Sequence, residues 1–135
     1  MEQDELALNR LRRAREALAE AHLLADAAHH NASVSRLYYA CFYAVNAYLG
    51  RRGLSATKHT DVRSLFNREL VRSGLVVPEL GDLYRDLFEA RREADYDDFP
   101  DFTAERIGKW LVLAEQFIDC LQDIIGSPNA RAADS

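Results

Sequence analysis

At 135 residues and a net charge of −5, the chain can bury one hydrophobic core without disulfides or a structural metal, and it lacks the basic excess of a protein whose whole surface holds nucleic acid. Nearly half of it is hydrophobic, and 6 Gly and 3 Pro leave few helix breakers, so the composition favours helix. The 2 cysteines, Cys41 and Cys120, fall in apolar helical runs and read as buried thiols in a reducing compartment. No signal peptide and no apolar run long enough to span a bilayer are apparent, so a cytoplasmic protein without membrane contact is expected.

From Asp4 to about Ala28, the residues Leu8, Leu11, Ala14, Leu18, Ala21 and Ala25 recur at three- and four-residue steps and mark a first amphipathic helix. Arg10, Arg12, Arg13 and Arg15 interrupt it and are expected to form a solvated face paired with Glu16 and Glu20. His29, His30 and Asn31 close this helix, and Asn31 or Ser33 is expected to cap the next.

The second helix contains "SRLYYACFYAVNAYLG", residues 35–50, and is expected to end at Gly50, with Arg51 and Arg52 near its negative dipole end. Leu37, Cys41, Ala44, Val45 and Tyr48 share one face, and Tyr38, Phe42 and Leu49 lie on the neighbouring one. Apolar groups wrap most of the circumference. Such a helix is central in a bundle or is covered on its second side by another protomer.

Gly53 to Lys58 reads as a loop. Thr57 or Thr60 can cap a third helix of about a dozen residues, with Val62, Leu65, Phe66 and Leu70 inward. Gly74 stops it and Pro78 permits a fourth, carrying Leu80, Leu83, Tyr84, Leu87 and Phe88 into "EARREADYDDFPDF". Thr103 caps a fifth, in which Ile107, Trp110, Leu111, Ala114, Phe117, Ile118 and Leu121 keep the helical period to Ile125. Residues 127–135 are small and polar and are expected to be a disordered tail. No segment alternates like a strand. The expectation is all-α: a single domain over residues 1–126, folded as an up-and-down antiparallel bundle of four main helices plus a shorter one.

Gly-rich phosphate loops, paired cysteines, His-Glu-x-x-His and the nucleophile elbow are all absent from the sequence. His29 and His30 point apart on a helix, and His22 reads as a surface residue. His59 stands at a loop-to-helix boundary, where backbone amides and the helix dipole can depress its pKa, with a capping or buried-network role as the plainer reading. The run Asp95, Asp97, Asp98 and Asp101 lacks the turn glycine and terminal glutamate of a Ca²⁺ loop, so neither metal nor cofactor is expected. Arg91 and Arg92 precede that run beside Asp95 and Tyr96. They suit either internal ion pairs or an anion site in which Arg holds a phosphate and a phenol stacks or donates to it.

Taken in order, "SRLYYACFYAVNAYL", "LSATKHTDVRSLFNREL" and "RREADYDDF" resemble the HEPN superfamily of small helical bacterial and archaeal proteins. In particular they resemble the subfamily with a Tyr-Tyr-Ala helix, a Lys-His loop and an Arg-x-x-Ala-Asp-Tyr segment. The likeness covers about residues 5–125. It implies a helical bundle forming a homodimer, paired as toxin and antitoxin with a minimal nucleotidyltransferase. Active members are metal-independent ribonucleases whose motif places His four to six residues after Arg. Here the positions after Arg91 and Arg92 hold Asp95, Tyr96, Asp97 and Asp98, and no imidazole.

The resemblance therefore implies an RNA- or nucleotide-binding dimer in which Arg91, Arg92, Asp95, Tyr96 and His59 are the candidate catalytic residues. The alternative is a non-catalytic partner of the nucleotidyltransferase, with Tyr96 as the phenol that would be modified. Arg36, Tyr38 and Tyr39 are candidate ligand-binding residues on the second helix. They converge with Arg91 and Arg92 only if the second and fourth helices are neighbours. Arg52 with His59 is a lesser candidate pair, and Arg15 with His22 reads as coincidence.

Overall fold

The structure, a computed structural model, describes residues 2–97 and 100–126. Five α-helices carry them, with no strand among the described residues. They are α1 (Glu2–Asp26), α2 (His30–Arg51), α3 (His59–Phe66), α4 (Pro78–Tyr96) and α5 (Ala104–Gly126), and a π-helical turn, Asn67–Val71, extends α3. The expected all-α bundle of four long helices and one short one is therefore what forms. Asp98 and residues 127–135 lie outside the described residues.

Helix α2 is the hub and touches α1, α3, α4 and α5. Leu37, Cys41, Ala44, Val45 and Tyr48 are all buried, as the single apolar face requires, and Tyr38 and Leu49 on the adjoining face are buried too. Helices α1 and α4 run opposite to α2 and α5. Arg15 of α1 accordingly meets Asp119 of α5 at 2.6 Å, and Arg91 near the end of α4 meets Tyr39 near the start of α2.

On α1 the buried stripe is Ala7, Leu11, Ala14, Ala17, Leu18 and Ala21, small residues that let α2 approach closely. Leu8, expected in that stripe, is turned out and 64% exposed, because the stripe passes through its neighbour Ala7. The arginines of α1 do not pair with Glu16 and Glu20. Arg10 donates to the Asn46 carbonyl, Arg13 to the Tyr43 hydroxyl, and Arg15 to Asp119 and Gln122. Glu20 instead faces Arg36 of α2 at 3.5 Å.

Several helix ends also differ from expectation. His29 is the N-cap of α2, Asn31 is already helical, and Ser33 lies inside the helix with its hydroxyl donating to the Ala21 carbonyl at 2.8 Å. Gly50 lies within α2, where its bare Cα accommodates the Arg10 guanidinium, and the left-handed turn falls at Gly53, φ 72°. Lys58 rather than a threonine precedes α3, without a side-chain cap. Pro78 at the start of α4 and Thr103, whose hydroxyl accepts from the Arg106 amide at 3.1 Å, act as the sequence suggests.

The core ends in a column of rings. Phe66 meets Tyr84 edge-on at 4.8 Å, and Tyr84 stacks on Phe117 at 5.9 Å and on Tyr38 at 6.0 Å. Tyr38 carries the column outward from the core to the polar groups described next.

Candidate functional site: an arginine and a histidine on one buried tyrosine

Three elements build the site. Helix α2 supplies Tyr38, Tyr39, Phe42 and Arg36; the first residue of α3 supplies His59; and the last turns of α4 supply Arg91 and Asp95. Tyr38 and Phe42 are four residues apart, so they lie one above the other on α2 and offer a continuous aromatic wall. The His59 ring stacks on Phe42, with centroids 4.5 Å apart and planes 18° from parallel. Its Nδ1 lies 2.6 Å from the Tyr38 hydroxyl.

Arg91 reaches the same wall from α4. Its guanidinium carbon is 5.0 Å from the centre of the Tyr38 ring and 5.8 Å from that of Tyr39, and Nη1 donates to the Tyr39 hydroxyl at 3.3 Å. Asp95, one turn on, lies 3.7 Å from Nη1. The Arg91 side chain is only 18% exposed, and its Nε is buried without a hydrogen bond. Arg36 approaches the Tyr39 ring as well, at 5.1 Å. Two guanidinium groups therefore border one phenol ring, each with a half-exposed carboxylate beyond it. A shallow groove of about 360 Å³, lined by Leu24, Asn31, Ala32, Ser35, Arg36, Ala94 and Asp95, opens beside them.

The electrostatics follow from this packing. Burial, and then the positive charge of Arg91, hold the His59 pKa below its ordinary value, so the imidazole is neutral at pH 7. The helix dipole invoked from the sequence is not needed. Burial pushes the Tyr38 phenol up to about 12 against the opposing influence of Tyr84 and Arg91. The Tyr84 phenol, deeper still, is also raised by burial and then by Tyr38, toward whose hydroxyl it acts as a donor. These phenols remain protonated at neutral pH.

Of the residues singled out in the sequence, Arg91, Asp95, His59, Arg36, Tyr38 and Tyr39 come together. Tyr38 does so as a fully buried residue and not as part of an exposed strip; the partly exposed strip of α2 is Tyr39, Phe42 and Tyr43. Arg92 and Tyr96 do not join them. Arg92 is exposed without a partner among the described residues, and Tyr96 is 76% exposed at the end of α4. Arg52 reaches back to Tyr48, and the guanidinium that acts on His59 belongs to Arg91. Phe42 is the residue sequence reasoning left out of the site, although its four-residue spacing from Tyr38 was the available signal.

Among the described residues, no group of three or more His, Cys, Asp or Glu side chains is arranged to hold a metal ion. No described helix is long and apolar enough to cross a membrane.

The family model for the HEPN domain matches residues 7–124. A UPF0332 protein of Thermotoga maritima is 43% identical over 114 residues, which covers 84% of this chain and 86% of that protein. A UPF0332 protein of Gloeobacter violaceus is 40% identical over 80 residues, 59% of this chain and 61% of its own length. A protein of Methanocaldococcus jannaschii named "Putative toxin MJ0142" is 29% identical over 87 residues, 64% of this chain and 59% of its own length.

Proposed function

The chain belongs to the HEPN domain family, and from that premise we propose that it is a toxin-like homodimer that binds RNA or nucleotide phosphate at the Arg91 and His59 centre. Cleavage of RNA without a metal ion is the activity such a centre would serve. One observation carries the reading. A guanidinium and an imidazole, far apart in the sequence, rest against the same Tyr38 ring at 5.0 and 5.6 Å. The local Arg-to-His spacing is missing from α4, and the shared contact of Arg91 from α4 and His59 from α3 with Tyr38 supports reading those two as the pair that would stand in for it.

Arg supplies planar, permanently charged donors suited to a phosphate, and a neutral imidazole beside it can donate to or accept from the same ligand. The partly exposed Tyr39, Phe42 and Tyr43 give bases or a second copy an apolar surface to stack against. The likeness to a protein bearing a toxin's name is in keeping with this use.

The test is binding and cleavage of labelled tRNA and mRNA in EDTA by the whole protein, with Arg91→Ala and His59→Ala beside it. Weakened binding in both variants, with wild-type binding lost at high salt, is expected. An unaltered affinity in both variants would remove this centre from the function.

A second reading rests on Tyr96. Its phenol is 76% exposed and open to modification by a minimal nucleotidyltransferase, with this chain as a non-catalytic partner. Mass spectrometry of protein co-expressed with such a partner should show a nucleotidyl increment that Tyr96→Phe abolishes; an increment that survives the substitution excludes Tyr96.

A further inference from the structure

We infer that Tyr38 is a positioning residue: its buried hydroxyl donates to His59 Nδ1 and thereby fixes the neutral imidazole with its proton on Nε2, the ring nitrogen turned away from Tyr38. The Tyr38 hydroxyl lies 2.6 Å from Nδ1, its one close hydrogen-bond contact among the described residues. Tyr84 behind it acts on it as a donor from longer range, lowering the Tyr38 pKa while its own is raised. With Tyr84 pointing its proton at Tyr38, the Tyr38 proton is left to Nδ1. Were Nδ1 to carry the proton, the Tyr38 hydroxyl would have to turn its own proton toward Tyr84 and reverse the donor role that Tyr84 has there, exchanging a 2.6 Å hydrogen bond for a longer contact. Phe42 fixes the plane of the imidazole from its face, so one ring edge is held toward Tyr38 and the other, Nε2, away from it.

The consequence for chemistry is specific. With its proton on Nε2, His59 cannot accept a proton from a ligand at that atom; it can donate a hydrogen bond to an anionic oxygen. Together with Arg91 it makes a two-donor cradle for a phosphate oxygen, one donor charged and one neutral. The tautomer stands independently of the proposed function; its use on phosphate rests on that reading. Around the ring, Tyr38 and Tyr39 of α2 and Arg91 of α4 face it, and Lys58, Asp61 and Arg63 flank it along its own element.

The experiment is nitrogen-detected NMR of the whole protein labelled at its histidines, with the His59 signals assigned by their loss in His59→Gln. Above its titration midpoint, wild-type His59 should show a protonated Nε2 and a bare, hydrogen-bonded Nδ1. A proton on Nδ1 overturns the inference in the wild-type protein alone. Free imidazole also leans toward Nε2, so Tyr38→Phe supplies the sharper arm. It keeps the ring and loses only the hydroxyl, and it should move the Nδ1 resonance and raise the His59 titration midpoint by about half a pH unit or more.

A Tyr38 that acts only by packing would leave both unchanged, which also overturns the inference. Inorganic phosphate is then added to the wild type, where a shift of the Nε2 proton is expected. An intact tautomer with no response to phosphate would count against the phosphate reading and leave the positioning role standing.

Discussion

The guanidinium carbon of Arg91 lies 5.0 Å from the centre of the Tyr38 ring, although 53 positions separate the two residues in the chain. Arg91 is largely enclosed there, while its neighbour Arg92 stands in solvent. The two arginines should therefore respond differently to the same substitution. Arg91→Ala removes the contact with two rings and the apolar stem packed behind it, and should cost about 1–3 kcal/mol. Arg92→Ala should stay within about 0.5 kcal/mol of wild type. Arg91→Lys keeps the charge but not the flat stacking surface, and should fall between them. Urea unfolding followed by circular dichroism measures all three, and equal losses at positions 91 and 92 would contradict the packing described.

Adjacent residues on a helix differ by about 100° in direction, so the sequence alone put both arginines forward. A finer signal was present. Leu80, Tyr84, Leu87 and Arg91 step by four, three and four along the buried row of α4, and Arg92 falls outside it. The helices themselves were legible because their apolar period is long and regular. Leu8 was misplaced because a stripe made largely of alanine is marked weakly by hydrophobicity, and a leucine one position away outweighs it.

The caps at Asn31 and Thr57 failed for another reason. Short polar residues near a helix start can serve as caps at several adjacent positions, and tertiary packing selects among them. The burial of Tyr38 was not legible at all. It depends on α3 and α4 both closing over α2, and the distances along the chain between them carry no local signal.

His59 gives the stability a pH dependence whose sign is fixed by its lowered pKa. In the unfolded chain the imidazole takes a proton near its ordinary value of 6.5, and in the folded protein burial and Arg91 resist that proton. The unfolded state thus binds more protons between the two values, and stability rises with pH across that window. The contribution is complete above about 6.5 and is lost as pH falls through the folded value. His59→Gln removes it. The drop in urea midpoint between about pH 7.5 and pH 5.5 should be smaller in the variant than in wild type, and an identical drop would mean that folding does not perturb this imidazole.

Ser33 is fully buried in the core, and its hydroxyl ties the start of α2 to the Ala21 carbonyl of α1 at 2.8 Å. That carbonyl belongs to an interior turn of α1, so losing the extra donor does not leave it bare. Ser33→Ala should cost about 1 kcal/mol, the net worth of one such hydrogen bond. In a chain of this size that lowers the melting temperature by about 3–5 °C. A melting temperature equal to wild type would show that the α1 and α2 hairpin is held by its apolar contacts alone.

The two cysteines divide by depth. Cys41 sits on the inner face of α2 with no exposed surface, and burial pushes its thiol well above the ordinary range. Cys120 on α5 is partly exposed; burial and then Asp123 raise its thiol by less. Because the thiolate is the reactive form, both should react slowly, and Cys41 only when the protein opens. A disulfide reagent at about pH 8 should label Cys120 slowly in the native protein and leave Cys41 untouched. Adding urea below the unfolding midpoint should accelerate Cys41 in proportion to the globally unfolded fraction, since α2 touches every other helix and cannot open alone. Labelling of Cys41 that is fast and independent of urea would require a local opening of α2, and the column of rings through Tyr38 would then have to break without unfolding the rest.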